Sequence, residues 1–160
     1  MIDKAEYKSQ WKITKYESEE AYQKGEAYEE KDIDGNILLN EGIAVLQTLL
    51  IGTGGTAFSN AAASLGVGDS STAAAATQTG LQAATNKAYA AMEAGYPSIS
   101  AQATTWRSVF ASGVCNFAWN EFTVANGNSD ASTNLNRKVS AEGTKTSGQV
   151  WTLDLTITWS

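Results

Sequence analysis

A chain of 160 residues, 42% of them apolar, is sized for one domain with a real core. Its net charge of -6 argues against nucleic acid and against anionic membrane as partners, since both select basic surfaces. With no histidine and a single cysteine, it lacks the usual physiological general base and any intrachain disulfide.

Charge is unevenly spread. Residues 1–34 carry much of it, whereas between Ile43 and Trp106 only Asp69, Lys87 and Glu93 are charged. A neutral stretch rich in Ala, Ser, Thr and Gly has two readings. Either neighbouring subunits cover it, or it belongs to a loop-rich fold of small residues.

In chain order, the first segment reads Met1-Ile-Asp-Lys-Ala-Glu6, with no apolar signal core. No apolar run approaches the ~20 residues of a membrane helix. The expectation is a protein made in a cytoplasm without a conventional export signal. Gln10–Tyr16 alternates, with Trp11, Ile13 and Lys15 on one face and Lys12, Thr14 and Tyr16 on the other. It reads as a strand available to a neighbour's sheet edge. Glu17–Lys24 is polar with helical bias. Tyr28–Ile33, Asp34-Gly35 and Asn36–Leu39 read as a hairpin, because Asp-Gly suits a type I′ turn.

Asn40 then reads as the cap of a helix that ends at Gly52. Ile43, Leu46, Gln47 and Leu50 share one face of it, and the expectation is that it packs under a sheet. Ser64–Gly68 reads as a short strand, 69–80 as a Ser/Thr/Ala stretch with a helical turn at Thr72–Gln78, and Tyr96-Pro97 as a turn. Asn86–Glu93 is open between helix and strand. Strands follow at Ala103–Ala111, Cys115–Val124, Leu135–Ala141 and Val150–Trp159. The last is the strongest signal in the chain. Trp151, Leu153, Leu155, Ile157 and Trp159 alternate with Thr152, Asp154, Thr156 and Thr158, giving one buried and one wet face. The expected fold is mainly β: a β-sandwich or jelly-roll-like body over 40–160 with one short amphipathic helix. Residues 1–39 form an extended polar N-terminal arm and hairpin.

Chemistry is sparse. Gly52-Thr-Gly-Gly55 and Gly66-Val-Gly68 lack the Lys-Ser/Thr of a phosphate loop and the third glycine of a dinucleotide fingerprint. Asp32-Ile-Asp34-Gly-Asn36 has its glycine in the wrong position for a calcium loop. Cys115 reads as a buried inert thiol with no base to activate it. Glu121 is a carboxylate in an apolar strand pattern, so it must be paired or hydrogen-bonded. Arg107 is its expected structural partner, with the tying-down of loop amides as the alternative. No catalytic, cofactor or metal residue is identified, and the expectation is a non-enzyme without cofactors. Trp106, Phe110, Phe117, Trp119, Trp151 and Trp159 read as core rather than as a sugar-binding surface.

An ordered series of segments carries a family resemblance. Leu65-Gly-Val-Gly-Asp-Ser-Ser-Thr72 and Thr77-Gln-Thr-Gly-Leu81 are followed by Trp106-Arg-Ser-Val-Phe110 and Asn116-Phe-Ala-Trp-Asn-Glu-Phe122. Leu135-Asn-Arg-Lys-Val139 and Lys145-Thr-Ser-Gly-Gln-Val-Trp-Thr-Leu153 complete the series. With Trp11-Lys-Ile-Thr-Lys-Tyr-Glu17 and Asn36-Ile-Leu-Leu-Asn-Glu-Gly42, it resembles structural proteins of tailed-bacteriophage virions. The resemblance implies a capsid decoration (cement) protein on the phage head, assembled in the host cytoplasm. Its implied partners are the major capsid protein and copies of itself, often as a trimer. A tail or fibre-adaptor subunit and a carbohydrate-binding attachment module are the alternatives. For decoration, Trp11, Ile13, Tyr16, Tyr22 and Tyr28 are the expected anchors of the arm on neighbouring subunits.

Overall fold

The computed structural model describes residues 6–160. The chain is mainly β. Strands β1 (Tyr7–Tyr16), β2 (Glu29–Asp34), β3 (Ile37–Leu38), β4 (Ser64–Gly68), β5 (Lys87–Ala91), β6 (Ser98–Ser100), β7 (Ala103–Phe110), β8 (Glu121–Ala125), β9 (Asn136–Val139) and β10 (Val150–Trp159) are joined by two helices. These are α1 (Glu19–Lys24) and α2 (Asn40–Leu50). Two five-stranded sheets, ordered β2-β1-β10-β7-β6 and β3-β9-β8-β4-β5, pack face to face.

The alternating pattern of β10 places it at the centre of the first sheet. Ten residue pairs join it to β1, from Tyr7↔Trp159 to Tyr16↔Val150, and β7 lies along its other side. The core-facing rows can be read straight across the strands: Ile33, Trp11, Leu155 and Trp106 form one, and Trp151 and Phe110 share another. From the second sheet Leu65, Val67, Phe122, Val124 and Leu135 close the core. Trp119 stacks edge-on against both Phe110 (4.7 Å between centroids) and Trp151 (4.9 Å). Trp159 falls on the core face of β10 but beyond the end of the core, beside Tyr7 and partly exposed.

The expected N-terminal arm is not an arm over its described length. β1 is hydrogen-bonded on both sides by its own chain, to β10 and to β2, and so offers no edge to a neighbour. Its alternation had a nearer use, the filling of the core by Trp11 and Ile13. The expected hairpin is also absent. β2 pairs with β1, whereas β3 pairs with β9 in the other sheet. Asp34-Gly35-Asn36 is therefore a crossing between sheets, with Gly35 at φ +75°. Residues 1–5 of the expected arm lie outside the described residues.

α2 also departs from expectation. It approaches the second sheet through Gly42, where a Cβ would stand 2.5 Å from Leu135 Cα, with Val45 and Leu46 against the core. Ile43 and Leu50 point outward. Its boundary at Gly52 (φ +71°) matches the sequence, but Asn40 opens the helix as its first residue instead of capping it. Residues 115–120 run as a loop, and the strand begins only at Glu121. Residues 72–78 form a turn without helix, and 87–91 is a strand.

Because β1 supplies a central strand and two core side chains, deletion of residues 1–16 is expected to abolish cooperative folding. Far-UV circular dichroism during heating checks this; a retained sharp transition would contradict it.

Candidate functional site

Three features stand out: a buried ion pair, a polar cleft and an apolar helix tip.

On β8, Phe122 and Val124 face the core, so Glu121 faces outward, beneath the long loop 69–86. Its partner is Arg137 on β9, not Arg107. The Arg137 Nε donates to Glu121 Oε2 at 2.7 Å, and both side chains are fully buried. Backbone amides of Ala83 and Gln82 donate to the two carboxylate oxygens at 2.7 and 2.9 Å. Arg137 Nη1 donates to Thr72 O and to Gln78 Oε1. The pair thus pins both limbs of a loop with little apolar content of its own. Gly68 makes room for it, and Gly66 makes room for Tyr89 beside it. A Cβ at Gly68 would strike the Glu121 carboxylate, and one at Gly66 would stand 2.7 Å from the Tyr89 ring. Asp69, at the start of the loop, accepts from Asn86 Nδ2 at its end (2.7 Å). The alternative reading of Glu121 as a tie for loop amides holds beside the ion pair.

Arg107 is instead bound to Asp154 of β10 through Nε (2.7 Å) and Nη2 (2.6 Å). The register makes the reason plain. Asp32, Lys12, Asp154 and Arg107 lie in one row across the outer face of the first sheet, with alternating sign. The carboxylate holds the guanidinium well above its ordinary pKa.

This outer face carries the cleft, a cavity of about 190 Å³ lined by Lys12, Thr14, Tyr16, Tyr22, Glu30, Glu93, Arg107 and Thr152. Thr14 and Thr152 are register partners on its floor. α1, capped by Ser18 and ended by Gly25 at φ +71°, holds Tyr22 edge-on to Tyr16 at 5.2 Å. The Tyr22 hydroxyl donates across to Glu93 Oε1 at 3.4 Å. Burial, then the neighbouring Glu93, pushes the Tyr22 phenol up from its ordinary pKa. Lys12 pairs with Glu30 at 2.6 Å, and the Arg107 guanidinium lies 4.9 Å over the Tyr96 ring.

The expected anchors divide accordingly. Trp11 and Ile13 are core residues and cannot contact a neighbour, which corrects their assignment. Tyr16 and Tyr22 line the cleft, and Tyr28 is exposed. The third feature was not foreseen as surface. Leu50 is 85% exposed and Ile51 70%, at the end of α2 and beside the uncharged loop 52–57.

Two buried lysines were also missed. Lys145 donates to Ala111 O, Val114 O and Asn116 Oδ1, holding loop 111–116. Lys15 reaches Glu29 and the Glu142 carbonyl while lying 4.5 Å over the Trp151 ring. In sequence, each is a lysine in or beside an alternating strand, with nothing to mark it as buried. Cys115 sits half-buried in loop 111–116 at φ +56°, and burial raises its thiol to about 11.

Among the described residues no helix is long and apolar enough to cross a membrane. Compared with protein families, curated proteins and solved structures, the chain matches none.

Glu121→Gln is expected to cost about 3–5 kcal/mol, since it leaves Arg137 buried without a counter-charge. Urea unfolding reads the loss, and limited proteolysis should cut within 69–86; a shift under about 1 kcal/mol with an uncut loop would refute the latch. Cys115 should alkylate with iodoacetamide at pH 8 roughly a hundredfold slower than a free cysteine, because only the thiolate reacts. The rate should climb until pH passes about 11.

Proposed function

We propose that this protein is a non-enzymatic structural subunit of a phage virion, a decoration protein that seats on the head and bridges major capsid subunits. The observation that supports the reading best is the apolar tip of α2. Leu50 and Ile51 project beside a Gly/Thr/Ala loop without charge. Exposed large aliphatic residues next to neutral backbone suit a surface covered by another protein. The tip and the loop after it carry no charge of their own, so burying them desolvates no charged side chain of that segment. The series of segments resembling phage virion proteins supplies the partner. Copies repeated over a lattice would bind by avidity, each adding modest area.

The charged groups of the cleft are engaged with one another. Lys12 holds Glu30 and Arg107 holds Asp154, an arrangement suited to bracing a sheet.

The test uses phage shells assembled without this protein, incubated with wild type or with Leu50→Asp and Ile51→Asp variants. Wild type should saturate the shells and raise their melting temperature. Each variant should bind roughly ten- to a hundredfold more weakly, the effect of losing one buried aliphatic side chain, while melting like wild type by itself. Wild type that ignores the shells would overturn the proposal. Variants that bind as wild type would overturn the assignment of the tip.

A further inference from the structure

We propose that the cleft on the first sheet binds one neutral sugar ring, such as the terminal residue of a surface glycan. The inference stands apart from the assembly role, since no residue of the cleft belongs to α2.

Size limits the ligand first. About 190 Å³ falls below the ~300–1,000 Å³ of sites for drug-sized molecules, and fits a single ring. Charge limits it next. Two cations, Lys12 and Arg107, are set against three carboxylates, Glu30, Glu93 and Asp154, and each cation is already paired, so an anion meets no free counter-charge. What remains is hydrogen-bonding capacity in both senses. Thr14 and Thr152 are buried residues at the floor, and neither hydroxyl bonds to another described residue. A hydroxyl can donate and accept, and one left beneath a cavity is satisfied only by what enters it. At the rim, Glu93 and Glu30 accept while Lys12 and Arg107 donate. Tyr16 and Tyr22, set edge to face, add two aromatic rings to a lining that is otherwise polar. A small ligand with many hydroxyls and no anionic group describes a sugar.

The site is also built to stay open. α1 is fixed by a cap at each end, and the Tyr22–Glu93 bond spans from α1 to the turn after β5. The strand floor is held by the Arg107–Asp154 fork. A ligand therefore meets a preformed site and is spared the cost of ordering it.

Saturation-transfer NMR on the full chain tests this with glucose, galactose, mannose and N-acetylglucosamine. Inorganic phosphate and acetate serve as charged competitors. At least one sugar should bind, in the millimolar range expected of so small a contact. Thr152→Val and Thr14→Val keep the branched strand side chain and remove a floor hydroxyl. Each should weaken binding about three- to tenfold without altering the melting temperature. Glu93→Gln, a change at the half-buried rim outside the strands, should weaken it similarly and covers the case in which a floor variant fails to fold. The proposal fails if none of the sugars binds, if all three variants bind as wild type, or if phosphate or acetate displaces the sugar.

Discussion

The second sheet depends on a charge placed where no solvent reaches it. Once Glu121 is buried, every neighbour must accommodate it: glycine at 68, an arginine two residues from its register partner on β9, and two amides of the covering loop. An uncompensated carboxylate there would be intolerable, so the pair defines one position for the loop over the sheet. Loop 69–86 has almost no large side chains with which to fix itself, and Leu81 is its main apolar anchor. Polar geometry does for this loop what hydrophobic packing does for the rest of the core. It also accounts for a loop of Ser, Thr and Ala adopting one path.

The first sheet follows the opposite logic. Its inner face is aromatic and aliphatic, and its outer face is a lattice of crossed charges and threonines set by strand register. Thr105 and Thr156 hydrogen-bond at 2.9 Å as direct neighbours, and the row from Asp32 to Arg107 alternates in sign. Cross-strand pairs of this kind each contribute a few tenths of a kcal/mol to about 1 kcal/mol. Their larger effect is on specificity, because a slip of one residue would bring the charges to the core.

Much of this was legible. The alternation of Val150–Trp159 named a strand and its inner face, and the strands expected at Ala103–Ala111 and Ser64–Gly68 are present as Ala103–Phe110 and Ser64–Gly68. Partner choice was not legible, because alternation fixes which way a side chain points but not which strand lies beside it. Glu121 was correctly read as needing a cation, and Arg107 was chosen by proximity in the chain. Asp154 already occupied Arg107, a fact that only the β7–β10 register contains. The arm failed for a related reason. A charge-rich leader looks detachable until Trp11 and Ile13 are seen to complete the two rows begun by Leu155 and Leu153. The cleft was invisible, since its lining comes from β1, α1, β2, β10, β7 and the turn after β5.

The pairing of β1 with β10 bears on how this protein comes to exist in the cell. A ribosome releases Trp11 and Ile13 early, and their partners Leu155 and Leu153 late. Until β10 emerges the first sheet lacks its middle, and β1, with only β2 beside it, keeps one edge and a tryptophan face open to whatever it meets. Sequence-distant pairing is slow, because the intervening chain must be ordered before the contact rewards it. The sandwich is therefore completed only once β10 has emerged, and the chain is at its most adhesive in the interval before that strand pairs. Slow elongation between the two strands would prolong that state. Yield in a heterologous host should respond more to temperature and chaperone supply than to changes on the finished surface.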